Sequence, residues 1–214
     1  MRPPDAGLSR IAFATIIAGV GILFAAVVWG GWVYPGYDHA RQFISELGAT
    51  GAVTGPTVSN WGFVPNGVLV AVFCLLAAWI LRRNALAVVA CLLLALNGAG
   101  MAGAGIYPCD FECNRSDPSA AALLHDLTAG LGYLCAVLGV ALAVLWARNS
   151  DASWLAPLGG AVLLVIIVGF AAVVAEVERA GLFQRAMEVA LAVFMMALGW
   201  ALVQGTRGAP RVQS

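Results

Sequence analysis

The chain has 214 residues, 62% of them hydrophobic and only 10% charged, with a formal net charge of zero at pH 7. Ordinary soluble domains carry about 25% charged residues, so this chain has too little polar surface to cover a water-soluble globule. The even charge balance excludes a basic nucleic-acid surface, and the lack of lysine excludes a Schiff base to retinal or pyridoxal phosphate.

Six stretches without a charged residue are long enough for a bilayer core, which takes roughly 20 residues per helix. They are 11–37, 47–81, 84–109, 127–147, 152–175 and 189–206. The predicted fold is an all-α integral membrane protein, one domain over 1–214 forming a six-transmembrane-helix bundle of three hairpins. The first run exceeds the roughly 7–15 apolar residues of a signal peptide, so it is read as a retained helix. The start of 47–81, with Gly48, Gly51, Gly55 and Pro56, reads as loop. The last run is short, and its helix is expected to begin before Glu188.

Arginine sets the orientation. Placing the N-terminus inside puts Arg2, Arg10, Arg82, Arg83, Arg148, Arg207 and Arg211 in the cytoplasm, against only Asp5 and Asp151. The other side then holds Arg41, Arg115, Arg179 and Arg185 with the remaining acids. Positive charge resists translocation, so an N-in, C-in arrangement is expected, with outer loops near 35–59, 108–120 and 176–183. Trp29, Trp32, Tyr34, Tyr37, Trp61 and Tyr107 then form an outer aromatic belt, and Trp79, Trp146, Trp154 and Trp200 an inner one.

In the third helix, "NGAGMAGAG" (97–105) repeats small residues at four-residue spacing, which lets a neighbouring backbone approach closely. Asn97, near mid-membrane, must bond to another helix or a trapped water. The tract precedes no Lys-Ser/Thr and is no phosphate-binding loop.

Polar side chains concentrate at the outer end. Ser45 and Glu46 lie in the first loop. Asn60 and Asn66 are expected at the top of helix two, Asp110 in the second loop, and His125 and Asp126 at the top of helix four. Arg185 and Glu188 open the last helix, where their i,i+3 spacing permits a salt bridge. Ionisable groups at membrane depth normally face the bundle interior. The segment 37–47 fits an amphipathic stretch lying on the bilayer with Phe43, Ile44 and Leu47 on its lipid side, although Glu46 could equally fold back over the bundle mouth.

Cys74, Cys91 and Cys135 fall in membrane segments and read as inert core residues. Cys109 and Cys113 share an outer loop, where the compartment is oxidising, and a disulfide is the favoured reading. Zinc is its rival, with His125 and an acid as further ligands, but the spacing is not a standard zinc pattern. His125 is either a buried hydrogen-bonding residue or a general base. A carboxylate from Asp110 or Glu46 beside it would fix its tautomer and favour its protonated form.

The motifs "ISELGATGAVTGPTVSNWGFVPNG", "YPCDFEC", "LLHD" and "GLFQR" together resemble the prokaryotic membrane family catalogued as domain of unknown function 998. The matching positions are Ser45–Ala49, Asn60, Tyr107–Asp110 with Cys113, His125, and Gly181–Arg185; Tyr107 stands where the family usually has Phe. The resemblance implies the fold, a multi-pass location in a prokaryotic inner (plasma) membrane and the importance of the outer face, and no reaction.

The expected function is a polar pocket at the outer leaflet that binds or handles a lipid or isoprenoid-like molecule. Its candidate residues are Glu46, Asn60, Asp110, His125, Arg185 and Glu188, supported by Ser45, Asn66 and Asp126. No cofactor is expected, although a metal at His125, Asp110 and Glu46 is an alternative. The rival functions are an acid–base or metal-assisted hydrolase or transferase, and a structural subunit bound to another membrane protein or to a second copy.

Overall fold

A backbone in hydrocarbon must satisfy its N–H and C=O groups within its own segment, which is why charge-free apolar runs become helices. The computed structural model describes residues 6–207. Six of its helices are long and apolar enough to cross a membrane. They are α1 (Ala6–Val33), α2 (Gly55–Ile80), α3 (Ala85–Ile106), α4 (Ala120–Ala147), α5 (Leu155–Val174) and α6 (Ala180–Arg207). The described residues contain no strand, and the protein is an all-helical, multi-pass membrane protein. Of the charges used for orientation, Arg2, Asp5, Arg211 and the Arg207 side chain lie outside the described residues.

Each helix packs on its sequence neighbours, and α6 returns to α1 to close a ring. The α3–α4 and α2–α3 seams are tightest; α1–α6 and α4–α5 are the sparsest. The small-residue tract of α3 makes the tight seams. Gly98 abuts the α2 backbone at Gly67 and Ala71, and Gly100 abuts α4, where an added methyl would lie only 2.9 Å from the Gly132 Cα. Two asparagines add bridges between neighbouring helices. Asn97 donates to the Gly132 carbonyl at 3.3 Å, and Asn66 donates to the Gly19 carbonyl of α1 at 2.9 Å.

Helix ends follow local chemistry. Asn84 and Ser119 cap α3 and α4, accepting from the N–H groups of Ala87 and Ala122. α2 begins at Gly55, within the stretch read as loop, because Pro56 suits a first helical turn. It then widens into a π turn at Ser59–Phe63, where the Val64 N–H reaches back to the Ser59 carbonyl. Pro65 accounts for this: its ring would strike the carbonyl four residues earlier, at Trp61, and the wider turn moves that carbonyl aside.

The α1–α2, α3–α4 and α5–α6 connections meet at one end, which the arginine distribution assigns to the outside. Thr50 N–H donates to the Cys109 carbonyl at 2.8 Å, joining the first two. Arg115 contacts Glu176 at 2.6 Å, joining the second and third. The first-turn N–H groups of α6 at Gly181 and Leu182 donate to the carbonyls of Arg41 and Ala40, so the first loop caps this helix; the Leu182 N–H is shared with the Arg179 carbonyl.

The first loop corrects one expectation. Ile44–Gly48 forms a 3₁₀ turn. Ile44 and Leu47 do not face lipid; they are buried with Leu23, Val58 and Phe63. Covering the mouth of a ring buries more apolar surface than lying on the bilayer, so the segment plugs the bundle.

Candidate functional site

The plug is held from three sides. Glu46, only 6% exposed, accepts from the Phe43 N–H at 2.8 Å and from the Gln42 amide at 2.7 Å. Burial raises its pKa above the ordinary carboxylate value, and these two hydrogen bonds oppose that shift. Ser59 donates to the Gly48 carbonyl at 2.9 Å, and Thr54 to that of Leu47 at 2.7 Å. Gln184 of α6 accepts from the Ile44 N–H at 2.6 Å.

Beneath the plug, His125 is 6% exposed. Its Nδ1 lies 2.9 Å from the Ala104 carbonyl and 3.0 Å from that of Tyr107, at the end of α3. Carbonyls only accept, so Nδ1 carries a proton, and in the neutral ring Nε2 presents a lone pair. The expected carboxylate beside His125 is therefore replaced by two backbone oxygens. Two turns deeper on the same stripe of α4, Tyr133 donates its hydroxyl to Glu188 of α6, which is 8% exposed. Since α6 begins at Ala180, Glu188 lies eight residues in, about 12 Å below the helix start and deeper than expected.

These groups line a small cavity of about 40 Å³ with Asn97, Ser45 and Gln184, walled by apolar residues such as Phe63 and Met101. A second cavity, of about 310 Å³, opens beside it over the α4–α5 seam. Its polar rim includes Arg115 and Asp126, and its apolar wall is Phe170, Val173 and Val174. Ser45, His125, Ala129, Tyr133 and Gln184 belong to both.

Other expected site residues stand elsewhere. Asn60 is exposed, because the π turn rotates Ser59 inward in its place. Asp110 accepts from the Ser119 N–H at 2.8 Å, and that bond holds its carboxyl below the ordinary value. Asp126 pairs with Arg115 at 3.0 Å. Asn66 ties α2 to α1. Arg185 does not pair with Glu188: it donates to the carbonyls of Gln42 and Gly181, both at 2.9 Å, and to the Tyr37 hydroxyl at 2.5 Å. The plug offers Arg185 better-aimed acceptors, while Glu188 points into the bundle. Cys109 and Cys113 form a disulfide with Cα atoms 5.0 Å apart, and the Ser45 hydroxyl lies 3.4 Å from the Cys113 sulfur. Among the described residues no three His, Cys, Asp or Glu side chains gather as a metal site, so the alternative of a metal at His125, Asp110 and Glu46 has no such cluster.

The model of a family described as a protein of unknown function (DUF998) matches residues 17–201. The chain belongs to DUF998. No curated protein and no solved structure matches it.

In this DUF998 chain, Tyr133 and Gln184 join the candidate site without being expected there, although Gln184 falls within the Gly181–Arg185 motif. Both carried a signal. Tyr133 follows His125 at i+8 on one helical stripe, and Gln184 precedes Glu188 at i,i+4. Tyr37 was read only as a belt residue, yet it is the acceptor for Arg185. The second histidine, His39, lies outside the cavity, with its ring edge-on to Tyr37 at 5.1 Å.

Proposed function

We propose that this protein binds an amphiphilic, lipid- or isoprenoid-like molecule at the outer leaflet of a plasma membrane. One observation carries the reading: the two joined cavities form an amphipathic site. Polar groups converge where the cavities meet, at His125, Tyr133 and Gln184 with Glu188 beneath them. The surrounding walls are mostly apolar, at Phe63 and Met101 on the inner side and at Phe170, Val173 and Val174 on the lateral side, whose rim carries Arg115 and Asp126. The lateral end lies over a sparsely packed helix seam, where a hydrocarbon chain could pass from the bilayer without crossing water. Ligand sites generally take this form, mostly apolar with a few convergent polar groups.

The test is native mass spectrometry of protein extracted in a neutral maltoside detergent, with lipid identification by fragmentation. Wild-type protein should retain a discrete amphiphile. Ala129→Phe, which fills the shared wall, should release it. A wild-type protein carrying no more lipid than an unrelated six-helix protein would overturn the proposal. An acid–base hydrolase or transferase in this cavity would act through His125 Nε2 and Glu188, and chemical conversion of the retained molecule is the result that would favour it.

A further inference from the structure

The inner cavity is lined by three side chains that offer acceptors, His125, Asn97 and Glu188, and by two that offer donors, Gln184 and Ser45. In the neutral imidazole His125 Nε2 is an acceptor, because the Nδ1 proton is directed to two carbonyls. Asn97 turns its amide N–H group to the Gly132 carbonyl, which leaves its own carbonyl oxygen as the remaining acceptor. Glu188 adds a carboxyl group, and one Tyr133 hydroxyl cannot satisfy both of its oxygens. Gln184 uses its carbonyl on the Ile44 N–H, so its amide N–H group is its remaining contribution, a donor like the Ser45 hydroxyl.

The ionisable side chains, by contrast, are one-sided. Glu188 is the only acid among the cavity-lining residues, and no arginine lines it. Arg185, one turn away on the same helix, is held by Tyr37, Gln42 and Gly181 instead. A carboxylate buried at membrane depth without a cation is costly. A neutral hydroxyl headgroup would supply donors but leave that charge uncompensated.

We propose that the polar end of the bound amphiphile is a protonated amine, held by Glu188, His125 Nε2 and the Asn97 carbonyl oxygen. An ammonium has three donors and no acceptor, matching the three acceptor side chains and able to pair with the one acid of the cavity. The hydrocarbon part then leaves through the lateral cavity at Phe170, Val173 and Val174. This inference rests on the amphiphile-binding reading and specifies its headgroup.

Two probes of equal chain length separate the ideas: dodecylamine and dodecanol. Each is titrated into the full chain in neutral maltoside micelles, with tryptophan fluorescence as readout and correction for partitioning into empty micelles. Wild type should bind dodecylamine about tenfold or more tightly than dodecanol, the effect of one hydrogen bond to a charged group. Glu188→Gln should remove that preference and keep dodecanol binding. His125→Asn, which retains a donor toward the Ala104 and Tyr107 carbonyls but lacks Nε2, should weaken the preference and serves if Glu188→Gln fails to fold. Equal wild-type binding of both probes would overturn the ammonium assignment and leave the amphiphile reading standing. Binding of neither probe would overturn both. A preference unchanged in Glu188→Gln would overturn the role of Glu188.

Discussion

Arg185 and Tyr37 meet at the outer end of the bundle, the guanidinium donating to the hydroxyl at 2.5 Å and lying 5.4 Å from the ring centroid. Burial pushes the Tyr37 hydroxyl up to about 12, although the neighbouring Arg185 works against that shift, so the neutral phenol is present at physiological pH. The hydroxyl in turn donates to the Phe43 carbonyl at 2.6 Å. A relay from α6 to the plug results, and removing its middle leaves two groups unmet. Tyr37→Phe should cost about 1–3 kcal/mol. Arg185→Lys should cost a similar amount, because lysine lacks the planar fork that reaches the hydroxyl and the Gln42 carbonyl together. Thermal unfolding in detergent reads both; unchanged midpoints would mean that the plug is held by other contacts.

His125 makes two separable contributions, one through each ring nitrogen. His125→Ala removes the donor to the Ala104 and Tyr107 carbonyls and should cost about 1–3 kcal/mol of stability as well as ligand retention. His125→Asn should keep stability within about 1 kcal/mol of wild type and still lose retained amphiphile, since the amide replaces Nδ1 and nothing replaces Nε2. Unfolding midpoints measured alongside lipid content check the split. Loss of stability without loss of lipid in both variants would make His125 a structural residue.

Gly181 is where α6 and the first loop come closest. A Cβ there would sit 2.8 Å from the Gln42 carbonyl carbon and 2.9 Å from that of Arg41. Both neighbours are backbone and cannot rotate away. Gly181→Ala should therefore push the plug off α6 at a cost of about 1–3 kcal/mol. Faster amide exchange at Ile44, whose N–H rests on Gln184, is the local signature to measure.

Asp110 gives a pH dependence of definite sign. Its carboxylate accepts from Ser119, the residue that caps α4, and its pKa lies below the ordinary value of 3.8. A depressed folded-state pKa contributes stability above the unfolded value, and that contribution is lost as pH falls through the folded one. Lowering pH from about 6 to about 3 should lower the unfolding midpoint less in Asp110→Asn than in wild type. Parallel pH profiles would show that this bond adds nothing to stability.

The orientation drawn from arginine is tested by single cysteines on opposite ends. Asn84→Cys follows Arg82 and Arg83 in the α2–α3 connection, and Ser116→Cys lies between Asp110 and Asp117 in the α3–α4 connection. An impermeant thiol reagent added to intact cells should label the second position and spare the first until the membrane is opened. Labelling of both from one side would reject the arrangement.

The six spans were legible in the sequence because bilayer thickness is a one-dimensional constraint: a run of about 20 uncharged residues states its own role. The packing role of 97–105 was legible for a similar reason, since only small residues let helix backbones touch. The residues of the candidate cavity were less so. Spacing along one helix linked Arg185 to Glu188, but two of the three acceptors that hold Arg185, Gln42 and Tyr37, lie more than 140 residues away on the first loop. Proximity to a carboxylate was expected to orient His125, whereas the orienting groups are carbonyls at the end of α3, identical in every residue and invisible in any motif. The direction of Ile44 and Leu47, toward core or lipid, depended on whether the ring of helices left a mouth to fill. Sequence by itself determined which segments enter the membrane and which residue types are too polar to face it. Tertiary structure alone decided how those polar groups pair, because hydrogen-bond partners are chosen by distance and direction across helices and loops, and neither is encoded in the spacing of a single helix.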